Sequence, residues 1–128
     1  MQAWPSLEAL QAESRGVVVL STSGDIILAT APRFRAALRQ AVDAAERKRT
    51  EGSEYVLLLN LGETKYMDSV GLSTLLEVTK GIREQGGEVR LVSPSRQVMR
   101  ILEVTGLLDM FRVYRDVLSA TEKPASSP

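Results

Sequence analysis

Three observations predict an α/β layer structure with helices packed on a mostly parallel sheet. Short β-branched or leucine-rich runs at 17–20, 55–59 and 89–92 have the composition of strands. Between them lie longer segments whose apolar residues recur every three or four positions. The two kinds of segment alternate along the chain, as they must when parallel strands are joined by crossover helices.

Each element follows in order. Gly16 closes the polar stretch 11–15 and opens Val17, Val18, Val19 and Leu20, a buried-strand run; 21–25 then reads as a turn. From 30 to about 49, Phe34, Leu38, Ala41, Val42 and Ala45 form one helical face, opposite Arg33, Arg35, Arg39, Asp43 and Glu46. Thr30 suits the N-cap, Pro32 the first turn, and Gly52 the helix end. The unbroken run Tyr55, Val56, Leu57, Leu58, Leu59 fits a central strand covered on both faces. Leu72, Leu75, Leu76, Thr79 and Ile82 line a second helix over 70–85, closed by Gly86 and Gly87. Val89, Leu91 and Val92, with Glu88 and Arg90 between, make a third strand. Ser95 caps a third helix carrying Val98, Ile101, Leu102 and Thr105, and Gly106 ends it. Phe111, Val113 and Tyr114 alternate with Arg112 in a short last strand; a final helix runs from 116 to about 123, and 124–128 is a small polar tail. At the other end, Leu7, Leu10 and Ala12 fit either an extra strand pairing with 17–20 or a short helix after Pro5.

Composition bounds the chemistry. The chain has 128 residues, 44% hydrophobic and 25% charged, which is a single-domain composition with core enough to need no staples. With no Cys and no His, disulfides, thiolate metal sites, a thiol nucleophile and a Ser-His-Asp triad are all excluded. The 16 Lys and Arg residues balance 16 Asp and Glu residues, so bulk charge gives no reason to expect nucleic acid. No run approaches a membrane span, and 1–10 has neither the basic leader nor the apolar stretch of a secretion signal, so the expectation is a cytoplasmic protein off the membrane.

The segment Tyr66-Met67-Asp68-Ser69-Val70-Gly71-Leu72 lies between the central strand and the second helix. Its plain reading is structural, with Asp68 or Ser69 as an N-cap. Sites of open α/β sheets nevertheless gather at the carboxyl ends of strands, and helix starts favour phosphate. Lys80 lacks the P-loop frame, no GxGxxG follows a strand, and Ser69 has neither the GxSxG frame nor a histidine to deprotonate it. Ser69 is therefore no nucleophile of its own, but it can accept a phosphoryl group, since a kinase brings base and metal. Arg47, Lys48 and Arg49 read as a solvated helix end, Glu103 and Asp109 as surface charges, and Trp4 as packing or exposure.

Five elements carry a family resemblance: Gly24-Asp25-Ile26-Ile27-Leu28-Ala29-Thr30-Ala31-Pro32, Leu57-Leu58-Leu59-Asn60-Leu61, the 66–72 segment, Gly86-Gly87-Glu88-Val89-Arg90-Leu91-Val92-Ser93-Pro94, and Leu102-Glu103-Val104-Thr105-Gly106-Leu107. In this order, over about 12–118, the chain resembles the STAS domain of bacterial anti-sigma factor antagonists. The resemblance implies a STAS-type mixed β-sheet with helices on one side, bounded by an N-terminal extension (1–11) and a helix end with its tail (119–128). It implies partner switching without catalysis, cofactor or metal: the domain binds a serine-kinase anti-sigma factor until Ser69 is phosphorylated, and a metal-dependent serine phosphatase reverses the mark. Asp25, Ile27, Thr30, Met67, Asp68, Val70, Gly71 and Leu72 are the implied partner-binding residues. Met67, Val70 and Leu72 would make the surface around Ser69 partly apolar, which a phosphate beside Asp68 spoils by desolvation and repulsion.

Two positions depart from the family pattern. Val70 stands where Ser, Thr or Ala is common, and Ile27 where an acidic residue is common, exchanging an electrostatic contact for an apolar one. Two other readings are open from sequence: a STAS scaffold or transport-complex subunit that docks without phosphorylation, and a nucleotide-binding domain using the strand-helix junction as an anion site.

Overall fold

The computed structural model of the chain describes residues 6–9, 17–48 and 54–121. In order, the elements are β1 (Ser6–Ala9), β2 (Val17–Ser23), α1 (Ala31–Lys48), β3 (Tyr55–Glu63), α2 (Ser69–Glu84), β4 (Gly87–Val92), α3 (Arg96–Val104), a 3₁₀ turn (Leu108–Met110), β5 (Arg112–Tyr114) and α4 (Val117–Thr121). The expectations for Trp4, Leu10, Ala12, Gly16, Arg49, Gly52 and 124–128 lie outside the described residues.

The five strands form one sheet in sequential order, β1-β2-β3-β4-β5. β1 is antiparallel to β2, which decides the amino-terminal segment in favour of a strand; β2 to β5 are parallel. Parallel neighbours need crossovers, and α1, α2 and α3 supply them. β3 is central, and its run of apolar residues serves both faces. Leu57 and Leu59 join Val18, Leu20, Leu91, Phe34, Leu38, Leu75 and Ile82 in the main core, while Leu58 joins Val19, Val92 and Ala120 in a smaller one. Each such Val, Leu, Ile or Phe side chain contributes roughly 1.5–3 kcal/mol when taken out of water.

The mixed α/β sheet expected from the resemblance is present, with one difference in how its faces are covered. α1 and α2 cover one face, but Ala120 and Val117 of α4 pack on the other. Arg90 holds α4 there. It is buried, its Nη1 donates to the Ala120 carbonyl at 2.7 Å, and its Nε and Nη2 donate to Glu88 at 3.1 and 3.2 Å. A cation at the last carbonyls of a helix also meets the negative end of its dipole. At the other end of α4, Asp116 accepts the Ser119 N–H at 2.8 Å, a bond that lowers its carboxyl pKa.

Two caps differ in outcome. Ser95 accepts the Val98 N–H at 3.2 Å, as a cap of α3 should. The Thr30 hydroxyl instead works inside the turn before α1, accepting from Ile27 N–H (3.0 Å) and donating to the Asp25 carbonyl (2.8 Å). A threonine hydroxyl can bond the backbone of its own turn in place of the helix amides. Gly86, at φ 87°, ends α2 in the left-handed region that side chains avoid.

Candidate functional site

The carboxyl ends of β2 and β3 do not part where their ladder ends. Beyond an irregularity between Ser21 and Ser23, Ile26 and Met67 form a further parallel bridge. The Ile26 N–H donates to the Tyr66 carbonyl (3.0 Å) and the Asp68 N–H to the Ile26 carbonyl (3.1 Å). Residues 66–68 therefore keep the alternation of a strand: Tyr66 points out, Met67 is fully buried, and Asp68 emerges again.

Asp68 is the N-cap of α2, and Ser69 its first residue. One carboxylate oxygen accepts the Val70 and Gly71 N–H groups (3.0 and 2.9 Å), satisfying orphan donors of the first turn. The other accepts the Leu28 N–H at 3.0 Å, across 40 residues of sequence. One side chain thus ties the turn after β2 to the head of α2. The tie needs close approach: a Cβ on Gly71 would run into the Ile26 carbonyl oxygen and lie 2.7 Å from Ile26 Cγ2. Asp68→Ala is expected to cost about 1 kcal/mol through the lost cap. It should also free the Leu28 amide, which hydrogen exchange followed residue by residue will report as faster exchange at Leu28 than at Leu58.

The exposed surface here is partly apolar. Ser69 is exposed, and Leu28, Tyr66 and Val70 are three of the large apolar residues left open, at 68%, 46% and 36% of full exposure. Of the residues expected to touch a partner, Asp25 and Val70 are exposed, and Ile27, Thr30 and Asp68 are half-buried. Met67, Gly71 and Leu72 are corrected. Met67 and Leu72 belong to the core, at 0% and 5% exposure, because the strand alternation and the helix face both turn them inward. Gly71 is buried against Ile26. These three build the platform and leave contact to their neighbours.

Leu28 and Tyr66 hold the surface places expected of Met67 and Leu72. Leu28 had a signal: it ends the apolar run Ile26-Ile27-Leu28 at a turn, where three consecutive side chains cannot all point inward. The segment is also held from α3, where Gln97 pairs with both backbone groups of Met67 (2.8 and 3.0 Å) and the Ser95 hydroxyl donates to the Lys65 carbonyl (2.9 Å). The helix head is a poor cradle for free nucleotide, since two of its first-turn amides are taken by Asp68. A cavity of about 450 Å³ lies at the opposite, amino-terminal end of β4, bordered by Glu54, Arg83, Glu88, Asp109 and Arg112. No helix among the described residues is long and apolar enough to cross a membrane.

The family model of the STAS domain matches residues 9–120. The anti-sigma-B factor antagonist of Listeria monocytogenes is 33% identical over 91 residues, 71% of this chain and 73% of that protein. Among solved structures, an anti-sigma-factor antagonist (STAS) domain protein from Planctomyces limnophilus superposes with a TM-score of 0.73 at 18% identity, covering 93% of this chain and 96% of that one. The Bacillus cell fate determinant SpoIIAA in its phosphorylated form superposes with a TM-score of 0.63 at 19% identity, covering 91% and 95%.

Proposed function

Since the chain belongs to the STAS domain family, we propose that it is an anti-sigma factor antagonist, a cytoplasmic regulator that binds a serine-kinase anti-sigma factor and is released by phosphorylation of Ser69. The observation that carries this reading is the placement of Ser69. It is exposed at the head of α2, beside exposed Leu28, Tyr66 and Val70, on a support that Asp68 and Gly71 hold fixed. The names of relatives such as the Listeria protein support the same role.

The chemistry belongs to the partner. Its kinase activity moves the terminal phosphoryl group of ATP onto Ser69 Oγ, the seryl proton leaves, and ADP is released. A metal-dependent serine phosphatase hydrolyses the ester and restores the serine. This chain supplies a hydroxyl in the right place and apolar contact around it, and it acts without a cofactor or catalysis of its own. The phosphate adds about −1.5 to −2 charge next to Asp68. Because the Asp68 carboxylate already occupies the Val70 and Gly71 amides, those donors cannot absorb the new charge, and it is presented to the partner.

Incubating the protein with ATP and the serine-kinase anti-sigma factor of its source organism, followed by peptide mass spectrometry, tests the reading. The expected product is a single phosphate on Ser69. Phosphate elsewhere, or none, overturns it.

A further inference from the structure

The strand-like segment 66–68 has two hydrogen-bonding edges, and successive residues direct their backbone N–H and carbonyl to opposite ones. Tyr66 and Asp68 pair with Ile26 on the β2 side. The Met67 N–H and carbonyl point the other way, beyond the end of the β3–β4 ladder, where Asn60 pairs with Val92. Gln97 fills that gap. Its Oε1 accepts the Met67 N–H at 2.8 Å and its Nε2 donates to the Met67 carbonyl at 3.0 Å. One carboxamide thereby reproduces the donor and acceptor that a strand residue would offer.

The consequence reaches the phosphoacceptor through the backbone. Met67 is locked from both sides, and Asp68 and Ser69 follow it directly. Only a side-chain amide offers a neutral donor and acceptor at this spacing, and Asn is one methylene short. The Ser95 hydroxyl bond to the Lys65 carbonyl adds a second tie from the same helix. The arrangement makes α3 the brace of the segment.

We propose that Gln97 is a positioning residue for the phosphorylation of Ser69, setting through Met67 where the hydroxyl is presented. The assignment rests on Ser69 being the phosphoacceptor. Misplacement of a reacting group by about 1 Å can cost up to about 100-fold in rate, and loss of one of two braces should bring part of that.

The test uses Gln97→Met, which keeps length and packing but removes both bonds, and Gln97→Glu, which keeps the acceptor and loses the donor. Steady-state phosphorylation by the same anti-sigma kinase with ATP is read alongside residue-resolved amide exchange and thermal unfolding. For Gln97→Met the expected result is a fall of roughly tenfold in kcat with KM within about twofold, since the apolar contacts that bind the partner remain. The Met67 amide should exchange faster while Leu58 in the central strand is unchanged. Gln97→Glu should fall in between, and serves alone if Gln97→Met does not fold. Equal kcat in wild type and both variants, with Met67 exchange raised, overturns the assignment and leaves Gln97 a purely structural brace. A change in KM alone overturns it as well. If the wild-type protein takes up no phosphate at Ser69, the underlying reading fails and this assignment with it.

Discussion

Replacing Gly71 by alanine is expected to destabilise the protein by about 2 kcal/mol and to disable the candidate docking face. The added methyl would be driven into the Ile26 carbonyl oxygen, a backbone atom that cannot swing aside, and to within 2.7 Å of Ile26 Cγ2. Overpacking costs roughly 1–3 kcal/mol, and a clash with backbone puts this case at about 3, against which alanine returns about 1 kcal/mol of helix propensity. The head of α2 must then back away from the turn after β2, stretching the bonds from Leu28, Val70 and Gly71 to Asp68. Thermal unfolding checks the first part: a loss of about 2 kcal/mol lowers Tm by roughly 8 °C in a domain of this size. Gly81 provides the control within the same helix. A Cβ there meets nothing within 4 Å, so Gly81→Ala should raise stability by about 0.5–1 kcal/mol. Equal behaviour of the two variants would show that the contact with Ile26 does not constrain α2.

Ser69→Asp is expected to weaken the complex with the anti-sigma kinase about 100-fold, and Ser69→Ala by no more than about threefold. The difference comes from charge. An added carboxylate at Ser69 stands next to Asp68, whose oxygens already hold the Leu28, Val70 and Gly71 amides. It must be buried against the partner among Leu28, Tyr66 and Val70, unpaired. Unpaired charge at an interface costs about 2–5 kcal/mol, and about 2.7 kcal/mol is a 100-fold change in Kd. Alanine removes only a hydroxyl. Titration calorimetry of both variants against the kinase measures the ratio. Losses of similar size would show that the hydroxyl's own contacts, and not charge, govern docking.

How much of this was legible in the sequence depends on how local the determining interaction is. The strands and three long helices declare themselves because their apolar periods extend over many residues, as in Phe34, Leu38, Ala41 and Ala45. Ser95 could be read as a cap because its partner, Val98, is three residues away. Asp68 and Ser69 read equally well as the next cap; in the fold it is Asp68 that takes the first-turn amides, and its other oxygen reaches the Leu28 amide, 40 residues distant. Met67 reads as a surface residue in the sequence because three residues of strand alternation are too few to recognise between a long strand and a helix. Thr30 has one hydroxyl that serves equally in a cap or a turn, and only the fold of 25–30 chooses. Gln97 carries no local signal at all, since its partners lie 30 positions away. The side of the sheet that α4 takes depends on Arg90 reaching the Ala120 carbonyl, again over 30 positions.

The single carboxylate that links Leu28 to the head of α2 has a consequence for rates. The surface a partner meets is ordered before it arrives, so association need not immobilise a loop and pays little conformational entropy at that step. Encounter should then resemble that of two rigid bodies, with a rate set by diffusion and orientation. A phosphate on this surface acts chiefly after contact, when water must be expelled from around it. It should therefore shorten the lifetime of the complex far more than it slows its formation, and the switch would be thrown by how long the partner stays.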